Sequence, residues 1–237
     1  MTGALHFADS GEAADLAAFL GRLVHYDRAA AVRLQAGGKA LAVFGRPPSF
    51  EVLAVRTVRL AAPVGTPLDV TVSAGELLES VDEAAAGAAV PPPVTGPPWA
   101  GLLPPRGGWR ELPGLPGPEE MRAVVSAAVA EFRSRDEALP AQHRTRSERD
   151  RIGREIWSRT LGDTELPLRA VHAAQSLGFL RPIRSAVHAG APGADTPAPV
   201  ALLASGTWLR LRTPYGSVAT RRPGSTGGLG AFQVRPV

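Results

Sequence analysis

Glu51-Val-Leu-Ala-Val-Arg-Thr-Val-Arg-Leu60 decides the fold class. Val52, Ala54, Arg56, Val58 and Leu60 fall on one side of a period-two pattern, and Leu53, Val55, Thr57 and Arg59 on the other. Such alternation, rich in branched side chains, reads as a β-strand. Just upstream, residues 30–35 alternate, Gly37-Gly38 turns the chain and residues 39–45 return, which is the signature of a hairpin. Residues 5–8 read as a short strand. Ser10 is placed to cap a helix over 11–24 that buries Ala14, Leu16, Phe19, Leu20 and Leu23. Downstream, residues 68–72 form another strand. Ser73 then caps a helix carrying Leu77, Leu78 and Val81.

Two breaker runs interrupt this pattern. Residues 91–118 hold ten prolines and six glycines, too many for an inner strand or a helix. Trp99, Leu102, Leu103 and Trp109 within that run predict that it packs on a surface. Residues 190–199 form the second run. Three helices are expected between them. Pro118 with Glu119 and Glu120 opens the first, with Met121, Val125, Ala128 and Phe132 inside. Ser147 opens the second, around Ile152, Ile156, Trp157 and Leu161. Pro167 opens the third, around Leu168, Val171 and Ala174, and Gly178 stops it. Residues 200–204, 208–213 and 217–221 return to strand. The glycine-rich stretch 223–230 opens a flexible tail.

The chain has 237 residues, 44% of them apolar, enough to bury a core. There is no cysteine, which excludes disulfides and thiol chemistry. No apolar run approaches a membrane span, and the first residues lack a secretory pattern, so a cytoplasmic protein without membrane contact is expected. Of 26 basic residues only Lys39 is lysine, a bias that follows from GC-rich bacterial codon usage and does not itself point to nucleic acid. Charge is unevenly spread. Residues 1–95 hold 7 basic and 10 acidic groups, residues 96–182 hold 13 and 11, and residues 183–237 hold 6 and 1. An anionic partner therefore prefers the C-terminal end.

The order strand, helix, hairpin, long strand, then Asp69-Val-Thr-Val-Ser-Ala-Gly-Glu-Leu-Leu-Glu-Ser-Val81 and a final sheet segment, resembles one domain of a DNA sliding clamp. The resemblance covers residues 4–86 and 200–221 and passes over the helical segment between them. It implies a sheet carrying two helices, in a family that builds rings from repeated domains. Clamp helices face phosphate and need basic side chains. Here the first helix sets Glu12 and Asp15 against Arg22, and the second carries Glu76, Glu79, Asp82 and Glu83 with no basic residue. Those faces repel DNA, so the resemblance implies topology and not a ring lining.

No catalytic constellation is legible. His6, His25, His143, His172 and His188 have neither metal-ligand spacing nor a carboxylate cluster, and neither a nucleophile elbow nor a phosphate loop is present. No catalytic residue, metal or cofactor is expected. The candidates are instead for nucleic acid. On the hairpin, Arg210, Arg212, Arg221 and Arg222 have only Asp195 opposing them beyond residue 182, and Arg210 and Arg212 share a strand face. On the second insert helix, Arg144, Arg146 and Arg149 belong to a run that also holds Glu148, Asp150 and Glu155. Asp150 with Arg154, and Glu155 with Arg159, are favourable pairs four apart. That run is either a self-paired solvated face or a phosphate-contacting one. On the third helix, Arg169, His172 and Gln175 form a stripe suited to base edges if the last two helices and the hairpin make a winged helix.

The expected fold is α+β: a mixed sheet with two helices, clamp-domain-like, interrupted by a small three-helix insert. Its boundaries are 1–90 plus 199–222 for the sheet domain, 91–118 for a linker, 119–182 for the insert, 183–198 for a second linker and 223–237 for the tail. The expected function is a non-enzymatic binding protein acting near DNA, touching phosphate through hairpin and insert and a protein partner or its own copy through the acidic helices. A homo-oligomeric scaffold with no nucleic-acid role and a winged-helix regulator are the alternatives.

Overall fold

The computed structural model describes residues 3–97, 99, 103–182 and 199–222. The second breaker run up to residue 198, the glycine-rich tail, His188 and Leu102 lie outside the described residues. The fold class is α+β.

The chain opens with β1 (Ala4–His6) and α1 (Ser10–Tyr26). The cap of α1 is Asp9 and not Ser10: the Asp9 carboxylate accepts the Glu12 N–H at 2.9 Å, which moves the helix start back by one residue and buries Ala13 in place of Ala14. The predicted hairpin is β2 (Ala31–Gly37) and β3 (Ala40–Gly45), turned at Gly38 with φ 56°. Then come β4 (Leu53–Arg59), β5 (Leu68–Ser73) and, directly from it, α2 (Ala74–Ser80), capped by the Ser73 hydroxyl. The strand read over 51–60 is shorter than its alternation suggests because Glu51 takes a left-handed φ of 52° and turns the chain.

Short strands β6 (Val81–Asp82) and β7 (Gly87–Ala89) pair with each other, and β7 with β1, as a small three-stranded sheet. A proline-free stretch of the breaker run forms β8 (Arg110–Leu112). Helices α3 (Pro118–Glu137), α4 (Arg146–Trp157) and α5 (Leu168–Ser176) follow. Thr145, two residues before the expected Ser147, caps α4 through Glu148 N–H. Gly178, at φ 74°, ends α5: its N–H reaches Gln175 O and the next N–H reaches Ala174 O, satisfying carbonyls the helix leaves free. The chain closes with β9 (Ala201–Ser205), β10 (Trp208–Thr213) and β11 (Gly216–Arg221).

The main sheet runs β5-β2-β3-β4-β11-β10-β9-β8. Every pair among the described residues is antiparallel, so the parallel component of the expected mixed sheet is not found there. The β2–β3, β9–β10 and β10–β11 pairs are tight hairpins, which require opposed strands. The seam is β4 against β11, with Val55 opposite Ser217 and Leu53 opposite Ala219.

One sheet face packs Leu34, Leu41, Val43, Val58, Leu209, Leu211 and Val218 under α1, α2 and α5, with Leu16, Phe19, Leu20, Leu77 and Val171 completing the core. The other face buries Leu53, Val55, Trp208 and Ala219 against Trp99, with Leu103 and Trp109 partly covered. The proline-rich run therefore reaches that face at Trp99, Leu103 and Trp109, whereas its Leu112 and Leu115 pack with the main core. Trp99 Nε1 donates to Thr71 Oγ1 at 2.9 Å, and Val94 N–H to Thr71 O. No helix among the described residues is long and apolar enough to cross a membrane.

Charge also stitches the core. Arg56, 5% exposed, donates to Glu12 at 2.8 Å and to the Tyr215 carbonyl at 2.9 Å. Arg181 pairs with Asp15 and lies 3.6 Å over the Tyr215 ring. Glu12 and Asp15, expected to face a partner, instead hold α1 to β4 and to the segment after α5.

Candidate functional site

The alternation of β10 sends Leu209 and Leu211 into the core and Trp208, Arg210 and Arg212 to the opposite face. Arg210 is half-buried there. Its Nε donates to Ser217 Oγ at 2.9 Å and its guanidinium lies 5.8 Å from the Trp109 ring. Burial first, and the neighbouring Arg212 second, lower its pKa from the ordinary value. Arg212 sits 3.7 Å from Glu111 on β8. Arg221 lies 4.2 Å over the Trp208 ring and donates to Thr207 Oγ1, and Arg222 is 3.2 Å from Glu165. The four hairpin arginines are thus engaged by indoles and by acids distant in sequence. They do not form an open cationic row.

Most helix arginines are engaged too. Arg144 donates to the Glu137 and Leu139 carbonyls, closing the end of α3. Arg149 pairs with Asp136 at 2.7 Å. Arg135 bridges Glu155 at 2.8 Å, and Arg159 bridges Glu131 at 2.6 Å. These hydrogen bonds hold the Glu131 and Glu155 carboxyls below their usual range. Glu155 and Arg159 also approach to 3.7 Å, as their spacing predicts. The expected Asp150–Arg154 pair does not form. Asp150 turns instead toward Arg146, at 3.9 Å, whose side chain is 96% exposed. Arg154 is exposed and has no carboxylate partner among the described residues.

The α5 stripe departs furthest from expectation. Arg169, His172 and Gln175 are all partly buried, and no residue of α5 is exposed, because the helix is enclosed by α3, α4, β10 and β11. Arg169 reaches Glu51 at 3.6 Å. Gln175 Oε1 is buried with no hydrogen-bond partner among the described residues. His172 stacks on Trp157 at 4.3 Å and meets Phe50 edge-on at 5.2 Å. Burial lowers its pKa and favours the neutral ring. A helix so enclosed has no free face to lay in a groove of DNA.

Arg169 and His172, with Phe50, Glu51 and Trp157, line a cleft of about 820 Å³. One wall is the β3–β4 connection, Ser49 to Glu51. The other is the face of α4 bearing Arg149, Asp150, Gly153, Arg154 and Trp157, with Phe132 of α3 and Arg169 and His172 of α5 behind it. Ser49 and Glu51 hold left-handed φ values of 68° and 52°, uncommon without glycine, and between them Phe50 is pinned against Tyr26 and His172. The floor is aromatic and the rim carries cations. Sequence reading missed the cleft. The available signal was Gly153, a glycine in the middle of a helix.

A second cavity, of about 730 Å³, lies between β1, residues 60–70 and Pro91 to Pro93. Its lining is largely aliphatic, with His6 as the titratable group. Among the described residues no three His, Asp or Glu side chains gather as metal ligands.

Two family models match the chain: a domain of unknown function, DUF8010, over residues 1–101, and a domain of unknown function, DUF8185, over residues 104–225. The second spans more than half of the chain, which belongs to that family. No curated protein and no solved structure matches. The cleft is composite, taking Ser49, Phe50 and Glu51 from the first match and its remaining residues from the second.

Proposed function

We propose that this DUF8185 family member is a non-enzymatic binding protein that holds the phosphate backbone of nucleic acid along α4 and over the composite cleft. The observation that carries the reading is Arg154: an exposed guanidinium, without a carboxylate partner among the described residues, at the rim of an aromatic-floored cleft. Concave sites with aromatic walls and a few convergent polar groups are favoured binding sites. Arg146, 96% exposed although 3.9 Å from Asp150, adds a second cation at the start of the same helix. The hairpin arginines, first in line by charge counting, serve the sheet in this reading.

Two finer features belong to the same proposal. The order of β1, α1, β2, β3, β4, β5 and α2, with β11 completing the sheet beside β4, supports a clamp-like sheet domain into which α3, α4 and α5 are inserted. The protein-contacting face is α2, where Glu76 and Glu79 have no cation within ion-pair distance among the described residues. Self-assembly without nucleic acid is a second reading, favoured by the aliphatic cavity beside the edge strand β5, and light scattering of the purified chain tests it.

The nucleic-acid reading is tested by anisotropy of a labelled oligonucleotide titrated at several salt concentrations. Binding should weaken as salt rises. Arg146→Ala with Arg154→Ala should lower the salt slope by about 0.7 for each single-strand phosphate that is no longer neutralised. Absence of binding at low salt by the unaltered chain would remove the reading.

A further inference from the structure

We propose that the nucleic acid held at this cleft is single-stranded, with one base entering the gap above Gly153 against Phe132 and Trp157. The inference rests on the phosphate reading and adds what the floor of the cleft does.

Three observations carry it. The first is Gly153. A glycine inside a helix is less stable than alanine by about 1 kcal/mol. Packing does not require it here: a Cβ at 153 would stand 3.7 Å from both the Phe132 and the Trp157 rings, an ordinary contact. The missing methyl leaves a methyl-sized space against the edges of both rings, in the wall of the cleft. The second is the Trp157 indole N–H. An indole N–H only donates, so it can hold an acceptor brought into the cleft. This one has none among the described residues, and its nitrogen is 4.0 Å from where that Cβ would be. A base offers a flat face for the Phe132 ring and a carbonyl for the Trp157 donor.

The third is the spread of charge. Arg146 and Arg154 are eight residues apart on one helix, about 12 Å along its axis. That separation suits a chain of phosphates better than one small anion. A duplex keeps its ring faces stacked and shows only base edges. The stripe that matched an edge reader, on α5, is enclosed. Aromatic rings beside exposed guanidinium groups instead suit unstacked bases on a flexible strand.

The test uses the full chain and three probes: a labelled oligothymidylate, its duplex with oligoadenylate, and inorganic polyphosphate as competitor. The single strand should bind at least about fivefold more tightly than the duplex. Gly153→Leu, which fills the gap and leaves every arginine in place, should lose about tenfold in strand affinity with the salt slope unchanged. Gly153→Ala should melt at the same or a higher temperature and still lose affinity about twofold to threefold, so the inference stays testable if the leucine variant folds poorly. Equal binding of strand and duplex, displacement by polyphosphate alone at matched charge, or full affinity in Gly153→Ala would each overturn base insertion while leaving phosphate binding intact. Failure of all three probes to bind would overturn both.

Discussion

In the β10–β11 hairpin four arginines have almost no acid near them in sequence; in α4 and its flanks, arginines alternate with Glu148, Asp150 and Glu155. Local counting leaves the hairpin charged and the helix neutralised. The folded chain does the reverse at the positions that matter. Glu111 and Glu165 come to the hairpin from elsewhere, and Trp109 and Trp208 lie beneath its guanidinium groups. The helix acid Glu155 is drawn toward Arg135 on α3, Asp150 turns to Arg146, and Arg154 is left over. Ion pairing follows whatever comes within reach in space, and i,i+4 partners compete with neighbouring helices worth about as much.

The largest expected effect tests whether the hairpin arginines serve stability. Trp208 is 8% exposed and lies under Arg221. Trp208→Ala should cost about 3–5 kcal/mol in urea unfolding, because it empties the centre of the outer-face cluster. A loss below about 1 kcal/mol would mean that the cluster holds nothing together and that the arginines above it are free for other work.

A smaller effect is expected where the hairpin carries buried charge. Arg210→Met combined with Ser217→Ala removes the half-buried cation and the hydroxyl it serves, so no polar partner is orphaned. Stability should change by less than about 1.5 kcal/mol, since a buried charge exchanged for an apolar side chain is often neutral or favourable. The salt slope for oligonucleotide binding should not move. A slope reduced as much as by Arg154→Ala would reverse the contrast between hairpin and helix.

The smallest effects lie in pH. Burial keeps the folded pKa of His172 below its ordinary 6.5, so on acidification the unfolded chain takes up the proton first. Its contribution is intact above 6.5 and is lost as pH falls from there toward the folded value. Glu131 and Glu155 are held below 4.5 by Arg159 and Arg135. Their contribution is present above 4.5 and lost as pH falls through the depressed values. Unfolding measured across both windows should show two successive declines. His172→Phe should abolish the first, and Glu155→Gln or added salt should reduce the second. A first decline that survives His172→Phe would move its origin away from the cleft.

Sequence alone determined the parts that depend on neighbours along the chain. The β2–β3 hairpin follows from alternation around Gly38, the start of α2 from Ser73, and the end of α5 from Gly178, where backbone geometry leaves few alternatives. The placement of Arg210 and Arg212 on one strand face follows from the pleat. Tertiary structure decided the rest. A polar stripe on a short helix looks the same whether it faces water or a second layer, so the enclosure of Arg169, His172 and Gln175 by α3 and α4 could not be read from spacing. Glu12 and Asp15 look like a solvent face until Arg56 and Arg181 arrive from 44 and 166 residues away. The cleft itself exists because Phe50, Phe132, Trp157 and His172 converge from four separate segments. Side-chain chemistry is local to the sequence, whereas burial and pairing are set by which distant surfaces the core brings together.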